Sequence, residues 1–163
     1  MKESAGYPGG RQSALEGQLL YLDPQSLTRD CIGRWFDAEL DEYDVVLLGD
    51  PAALDDRSLD PGAIRAIVFN AGVECMASDL VVDWLARLRK RLPDAPVIVL
   101  SSLEDRSEII DGFGLGIRGY IPTSLTPDVV VEAVRLICAG GTFAPVSLAS
   151  LGGSSAETNR QTS

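Results

Sequence analysis

Short apolar runs alternate along this chain with stretches in which apolar residues recur at helical spacing. The clearest run is Val97-Ile98-Val99-Leu100, unbroken and rich in β-branched residues, the pattern of a strand buried on both faces of a parallel sheet. Runs of the same kind lie at 18–22 (QLLYL), 44–48 (DVVLL), 65–69 (RAIVF) and 119–121. Between them the spacing predicts helices. Over 27–40, Leu27, Cys31 and Trp35, with Ile32 and Phe36 one face over, are expected to meet the sheet. Over 80–92 the inward stripe reads Leu80/Val81, Trp84/Leu85, Leu88 and Leu92, with Arg87, Arg89, Lys90 and Arg91 outside and at the carboxyl end, where cations suit the helix dipole. A helix with Ile109, Ile110 and Phe113 as its apolar side follows Asp105, weakened by Gly112, Gly114 and Gly116. The last runs to Ala139, with Val129/Val130, Ala133/Val134 and Ile137/Cys138 buried and Pro127 in its first turn.

Ser26, Ser78 or Asp79, and Thr126 are placed to cap these helices, and Gly140-Gly141 to stop the last. The stretch 51–61 carries Asp55, Asp56 and Asp60 with few apolar residues, so it reads as a loop or a short helix. Strands alternating with helices specify an α/β fold, a doubly wound parallel sheet covered on both faces. Residues 1–17 read as a leader and 18–145 as one domain. Residues 146–163 read as a linker or tail, with Gly/Ser-rich composition from 152 onward.

Charge and composition then narrow the chemistry. A net charge of −10 and a pI near 4.4 argue against direct nucleic-acid binding through phosphates. The absence of histidine removes the commonest general base, the commonest zinc ligand and any Ser-His or Cys-His nucleophile. Cys31, Cys75 and Cys138 are too far apart for a metal motif or an even disulfide framework, and two of them fall on apolar helical faces, where a free cysteine is expected to behave as a small hydrophobe. No apolar run approaches the roughly 20 residues that span a bilayer, and the start lacks a signal-peptide core, so a cytoplasmic, non-membrane location is expected. No strand-to-helix turn carries GxGxxG or a P-loop, and the GFGLG at 112–116 ends a helix, so no cofactor, metal or enzymatic activity is expected.

The segments PVIVLSS, GIRGYIPTS and LTPDVVVEAVRLICAGGTFAP, with the glycine-punctuated helix between the first two, resemble the second half of a response-regulator receiver domain. The likeness is to the branch that precedes LuxR/NarL-type DNA-binding domains. It implies a flavodoxin-like (βα)5 sheet of strand order 2-1-3-4-5. In that family, two acids after the first strand hold Mg²⁺, an Asp after the third accepts a phosphoryl group, and a Ser/Thr and a Lys bond the phosphate. Carried onto this chain, Asp23 keeps the first acid and Ser101 the hydroxyl. Pro24 replaces the second acid, Asn70 the phosphoacceptor and Thr123 the lysine. An amide is no carboxylate nucleophile, and Mg²⁺ needs carboxylate oxygens that Pro24 and Asn70 lack. Were the third strand shifted in register, Asp50 or Glu74 would be the acid to consider.

The resemblance therefore implies a degenerate phosphorylation site, with Asn70 expected to bond Ser101 or Thr123 and hold one conformation. Tyr120 matches the family's switch aromatic, and Ile109, Phe113, Tyr120 and Ile121, with the outer side of 129–138, form the expected interaction surface. The function so implied is a phosphorylation-independent receiver of a transcriptional regulator, acting as a homodimer and through a protein partner or a carboxyl-terminal helix-turn-helix domain. The alternative is a nucleotide- or flavin-binding protein on the same architecture.

Overall fold

The computed structural model describes residues 15–145. Its strands are β1 (Gly17–Leu22), β2 (Tyr43–Leu48), β3 (Ile64–Gly72), β4 (Val97–Ser101) and β5 (Gly119–Pro122), all parallel, in the order β2-β1-β3-β4-β5. The central position of β3 explains its unbroken apolar run, since Ala66, Ile67 and Val68 are fully buried and point to alternate faces. Four helices cover the sheet: α1 (Ser26–Glu39), α2 (Asp79–Arg91), α3 (Arg106–Gly114) and α4 (Pro127–Cys138). Leu20, Leu22, Ile67, Phe69 and Val99 form a core with α2 and α3, while Leu19, Tyr21, Ala66, Val68 and Ile98 form a second with α1 and α4. The fold is the expected flavodoxin-like arrangement.

It departs from a full (βα)5 in one place. Between β2 and β3 stand two 3-10 turns, Pro51–Leu54 and Pro61–Ala63, instead of an α-helix. Asp50 and Asp60 accept from Ala52 N and Gly62 N at 2.7 and 3.0 Å, and buried Leu54 fills the core where a helical stripe would lie. The local caps of short turns win because the segment has too few apolar residues to anchor a helix.

The face of α1 is rotated from the expected one. Leu27 and Cys31 are exposed, and the helix meets the sheet through Ile32, Gly33 and Phe36, with Leu40 just beyond its end. A Cβ on Gly33 would stand 2.5 Å from a Leu47 methyl, so this glycine is the point of closest approach and turns the larger residues before it outward. Cys75 is exposed as well, so of the three cysteines only Cys138 is partly buried. Ser26 is the first helical residue and not the cap. Gln25 holds that position, and its backbone N–H donates to Asp23 Oδ1 at 2.9 Å. Ser78 caps α2 through Val81 N, and Thr126 holds the cap position of α4 without a side-chain bond. After α4 the chain turns at Gly140 (φ +97°) and returns along β5. Among the described residues no helix is long and apolar enough to cross a membrane. The expectations for 1–14 and 146–163 lie outside the described residues.

Candidate functional site

In an open parallel sheet the carboxyl ends of neighbouring strands frame a crevice. Here the exits of β1 and β3 frame one of about 140 Å³, lined by Asp23, Pro24, Asn70, Val73, Glu74 and Leu80 among others. Asp23 follows β1 directly and is 2 % exposed, one of two buried polar side chains among the described residues; Ser101 is the other. Burying a carboxylate is tolerable only when its oxygens are hydrogen-bonded. Both are. Oδ2 accepts from the Tyr21 hydroxyl at 2.7 Å and from Asn70 Nδ2 at 3.0 Å, and Oδ1 accepts from Gln25 N. The Asn70 amide also stands 3.3 Å from the Tyr21 hydroxyl, and its Oδ1 accepts from Gly72 N at 3.1 Å. That last bond helps bend β3 at the irregularity where Gly72 (φ +58°) pairs with Ser101.

Tyr21 completes this group, a member that positions at strand ends do not reveal. Residues 21 and 23 share one side of an extended chain, so a tyrosine in the aliphatic run two places before an acid is the signal. Its ring stacks edge-on against Phe36 at 5.5 Å. Burial, and then its bond to the Asp23 carboxylate, raise the phenol well above its usual range, so it stays a donor.

Ser101 belongs to an adjoining set of bonds. Its Oγ accepts from Leu103 N at 3.0 Å and lies 3.4 Å from the Gly72 carbonyl. The Tyr120 hydroxyl donates to the Leu103 carbonyl at 2.6 Å, and burial raises this phenol too. Thr123 joins only through its backbone, N–H to the Ser101 carbonyl, with its side chain exposed. Asn70 therefore bonds neither Ser101 nor Thr123, contrary to the sequence-based expectation. The buried Asp23 carboxylate needs donors more than either hydroxyl does, and the amide turns to it.

The expected interaction surface is also corrected. Ile109 is 1 % exposed and Tyr120 and Ile121 are fully buried, because they plug the two cores, and Phe113 is half-buried. The large apolar side chains that are exposed include Leu27, Val73, Leu80 and Ile110, together with Val129 and Leu136 on the outer side of 129–138, the part of the expected surface that is open.

Mg²⁺ does not fit these residues. Both Asp23 oxygens accept from protein donors, Pro24 offers no oxygen, and Asn70 presents its NH₂ to the acid and its oxygen to a backbone amide. Asp50 is spent as a cap, and Glu74 is exposed at the crevice mouth. Among the described residues no group of three or more His, Cys, Asp or Glu side chains could hold a metal ion.

No family model matches the chain. It is 26% identical over 131 residues to the transcriptional regulatory protein DegU of Brevibacillus brevis, covering 77% of this chain and 52% of that protein. It is 24% identical over 129 residues to the transcriptional regulatory protein MctR of Rhizobium johnstonii, covering 77% and 57%. The chain thus spans about half the length of the curated relatives it matches. Among solved structures, a LuxR family DNA-binding response regulator from Silicibacter pomeroyi superposes with a TM-score of 0.63 at 24% identity, over 80% of this chain and 98% of that one. The isolated receiver domain of RcsB from Salmonella enterica serovar Typhimurium does so with a TM-score of 0.65 at 17% identity, over 83% and 98%. The chain has the fold of these response-regulator receiver domains.

Proposed function

We propose that this chain is the receiver-type domain of a transcriptional regulator and that it works without phosphorylation, by self-association and protein contact. The observation that carries the reading is the Asn70 amide donating to the buried Asp23 carboxylate. A neutral amide is no carboxylate nucleophile, and its oxygen already accepts from Gly72 N, so Asn70 is not the group that forms an acyl phosphate. Pro24 and Thr123 remove the second acid and the cation that would balance added phosphate charge. The network Tyr21–Asp23–Asn70 then holds the strand exits in one arrangement, and Tyr120 is held inward by packing and by the Leu103 carbonyl.

The similarity to curated transcriptional regulators of about twice the matched length supports a regulator with a further domain. Contact with a partner is assigned to the mouth of the crevice, where Pro24, Val73 and Leu80 are exposed around a site that would otherwise be wet and charged. An apolar rim of this kind suits protein recognition. The nucleotide or flavin reading gains no support at this crevice, whose 140 Å³ falls below the roughly 300 Å³ at which small-molecule pockets begin.

Incubation with acetyl phosphate and Mg²⁺, followed by intact mass and light scattering, tests the proposal. No phosphoryl adduct and an unchanged, concentration-dependent dimer fraction are expected. A phosphoryl adduct lost on replacing Asn70, Asp50 or Glu74 would overturn it.

A further inference from the structure

The crevice at the strand exits occupies one end of the sheet, and the opposite end holds a larger cavity that the preceding reading leaves unused. It measures about 320 Å³ and opens where β4 begins at Val97 and where Arg118 leads into β5. That volume reaches the range of small-molecule pockets, in which a few placed polar groups orient the ligand. Two of the lining side chains are cations, Arg89 from the last turn of α2 and Arg118.

Both are held in place. The Arg89 guanidinium donates to the Leu115 carbonyl, just past α3, and lies directly against Gly116. A Cβ on Gly116 would collide with that guanidinium, and its φ of +88° disfavours any side chain there. Arg118 is fixed through its backbone. Its N–H donates to the Val97 carbonyl at 2.8 Å, and its carbonyl accepts from Phe143 N at 3.0 Å. Its guanidinium makes no hydrogen bond or ion pair among the described residues.

Helix carboxyl ends also meet this cavity, and open carbonyls there would repel an anion. These carbonyls are already taken. Phe113 O accepts from Gly116 N, Ile137 O from Gly140 N and Leu136 O from Gly141 N, at 3.0, 2.9 and 2.9 Å. Arg87 and Arg91 on α2 are paired with Asp83 and Asp55 and add little charge. Asp94 lines the cavity as well and pairs with neither Arg89 nor Arg118. The cavity therefore sets two guanidinium groups against one carboxylate, in a chain whose net charge is −10. An anion repelled by the molecule as a whole meets its favourable field here.

A guanidinium presents its N–H donors in a planar fork that matches the oxygens of a carboxylate or a phosphoryl group. We propose that this cavity binds a small organic oxyanion through Arg89 and Arg118, with Val97 and Ile137 as apolar lining for its body. Because the Arg118 carbonyl also holds Phe143, a ligand on Arg118 bears on the segment that returns along β5 after α4. The site gives the domain an input that needs no phosphorylation, and it does not depend on the chemistry of Asn70.

Nuclear magnetic resonance of the full chain tests it, with inorganic phosphate and succinate titrated separately at an ionic strength held constant with chloride. Saturable shifts of the Arg89 and Arg118 Nε–H signals and of the Gly116 and Gly141 amides are expected with at least one of the two. Tighter phosphate binding would assign the ligand to phosphoryl compounds, and tighter succinate binding to carboxylic acids. Arg118→Gln is expected to weaken binding about tenfold or more, the loss of a charge-assisted bond. Arg106→Gln removes the same charge at the strand-exit end, where α3 begins, and should leave binding unchanged. Gly116→Ala should weaken binding by displacing Arg89. Should that variant fail to fold, Arg118→Gln still decides, because the side chain it alters is exposed and bonds nothing. An equal response to chloride, equal losses in Arg118→Gln and Arg106→Gln, or shifts centred on Gly72 and Ser101 would overturn the proposal. A phosphoryl adduct at the strand exits is read by mass and leaves these shifts in place, so the two proposals fail separately.

Discussion

The side-chain nitrogen of Asn70 stands 3.0 Å from Oδ2 of Asp23, joining the exits of β3 and β1 across 47 positions of sequence. The acid is almost wholly buried, and this bond is one of the three that make its burial tolerable.

Asn70→Asp should therefore destabilise the domain. It replaces a donor with a second carboxylate facing the first, costing a charge-assisted hydrogen bond worth about 2 kcal/mol and adding repulsion. One carboxyl of the new pair is pushed up in the folded state, so folded protein binds more protons than unfolded near neutrality. Stability of this variant should recover as pH falls from 7.5 towards 5, whereas the parent should change little over that interval. Urea unfolding at the two pH values checks it. An Asn70→Asp variant as stable as the parent at pH 7.5 would remove the Asn70–Asp23 bond from the account of this site.

Tyr21→Phe keeps the ring against Phe36 and deletes the hydroxyl that lies 2.7 Å from Asp23. A loss of about 1–3 kcal/mol is expected, the cost of leaving a buried acceptor short of a donor. The pH dependence follows from the raised phenol. Its folded value lies above the ordinary tyrosine value of about 10, so its stabilisation is complete below that pH and lost as pH rises beyond it. Tyr43 and Tyr120, also raised chiefly by burial, act in the same sense. Alkaline unfolding followed by circular dichroism should show a shallower fall above pH 10 in Tyr21→Phe than in the parent.

What the sequence disclosed, and what it hid, divides along physical lines. Strand runs such as 65–69 and 97–100 were legible because central parallel strands are apolar on both faces, and the parent order of the sheet followed from the family resemblance. The site positions Asp23, Pro24 and Asn70 were legible from their places at strand ends, and the structure brings them to one crevice. The partner of Asn70 was not, because an amide beside two hydroxyls and one acid is settled by which group is buried without donors. The face of α1 was hidden because apolar spacing counts large residues, while Gly33 makes the closest contact by having no side chain. Ile109, Tyr120 and Ile121 looked available on a short, glycine-rich unit, yet both sheet faces are deep enough to bury them.

Restoring the missing acids offers a gain-of-function test. The parent should show no change in melting temperature with Mg²⁺, since no free pair of carboxylate oxygens meets at the crevice. Pro24→Asp/Asn70→Asp places three carboxyls there and should be less stable than the parent in chelator. With Mg²⁺ at a hundred times its dissociation constant the variant should regain about 2.7 kcal/mol, the linkage expected of one site. Scanning calorimetry in chelator and in Mg²⁺ distinguishes the outcomes. A parent protein that gains as much as the variant would show that the crevice binds the ion as it stands.

Arg135 ties α4 to the end of α1, the helix beside it on the same face of the sheet. Its guanidinium lies 2.7 Å from Glu42 and 2.9 Å from Glu132, and it donates to the Glu39 carbonyl at 2.9 Å, bridging α4 to the end of α1 and the approach to β2. Arg135→Met preserves much of the stem and removes these bonds, and about 1 kcal/mol is expected, the upper end for a partly exposed cluster. Hydrogen bonding by Arg135 lowers the Glu42 carboxyl below its ordinary value. The stabilisation from that pair is therefore present above the ordinary glutamate range and lost as pH falls through the lower folded value. The parent and variant stability curves should converge in acid and in 1 M salt, where screening shortens the reach of the charges to about 3 Å. Convergence should stop short of identity, because the bond to the Glu39 carbonyl requires no carboxylate. A gap independent of both pH and salt would assign the whole contribution of Arg135 to the packing of its aliphatic stem.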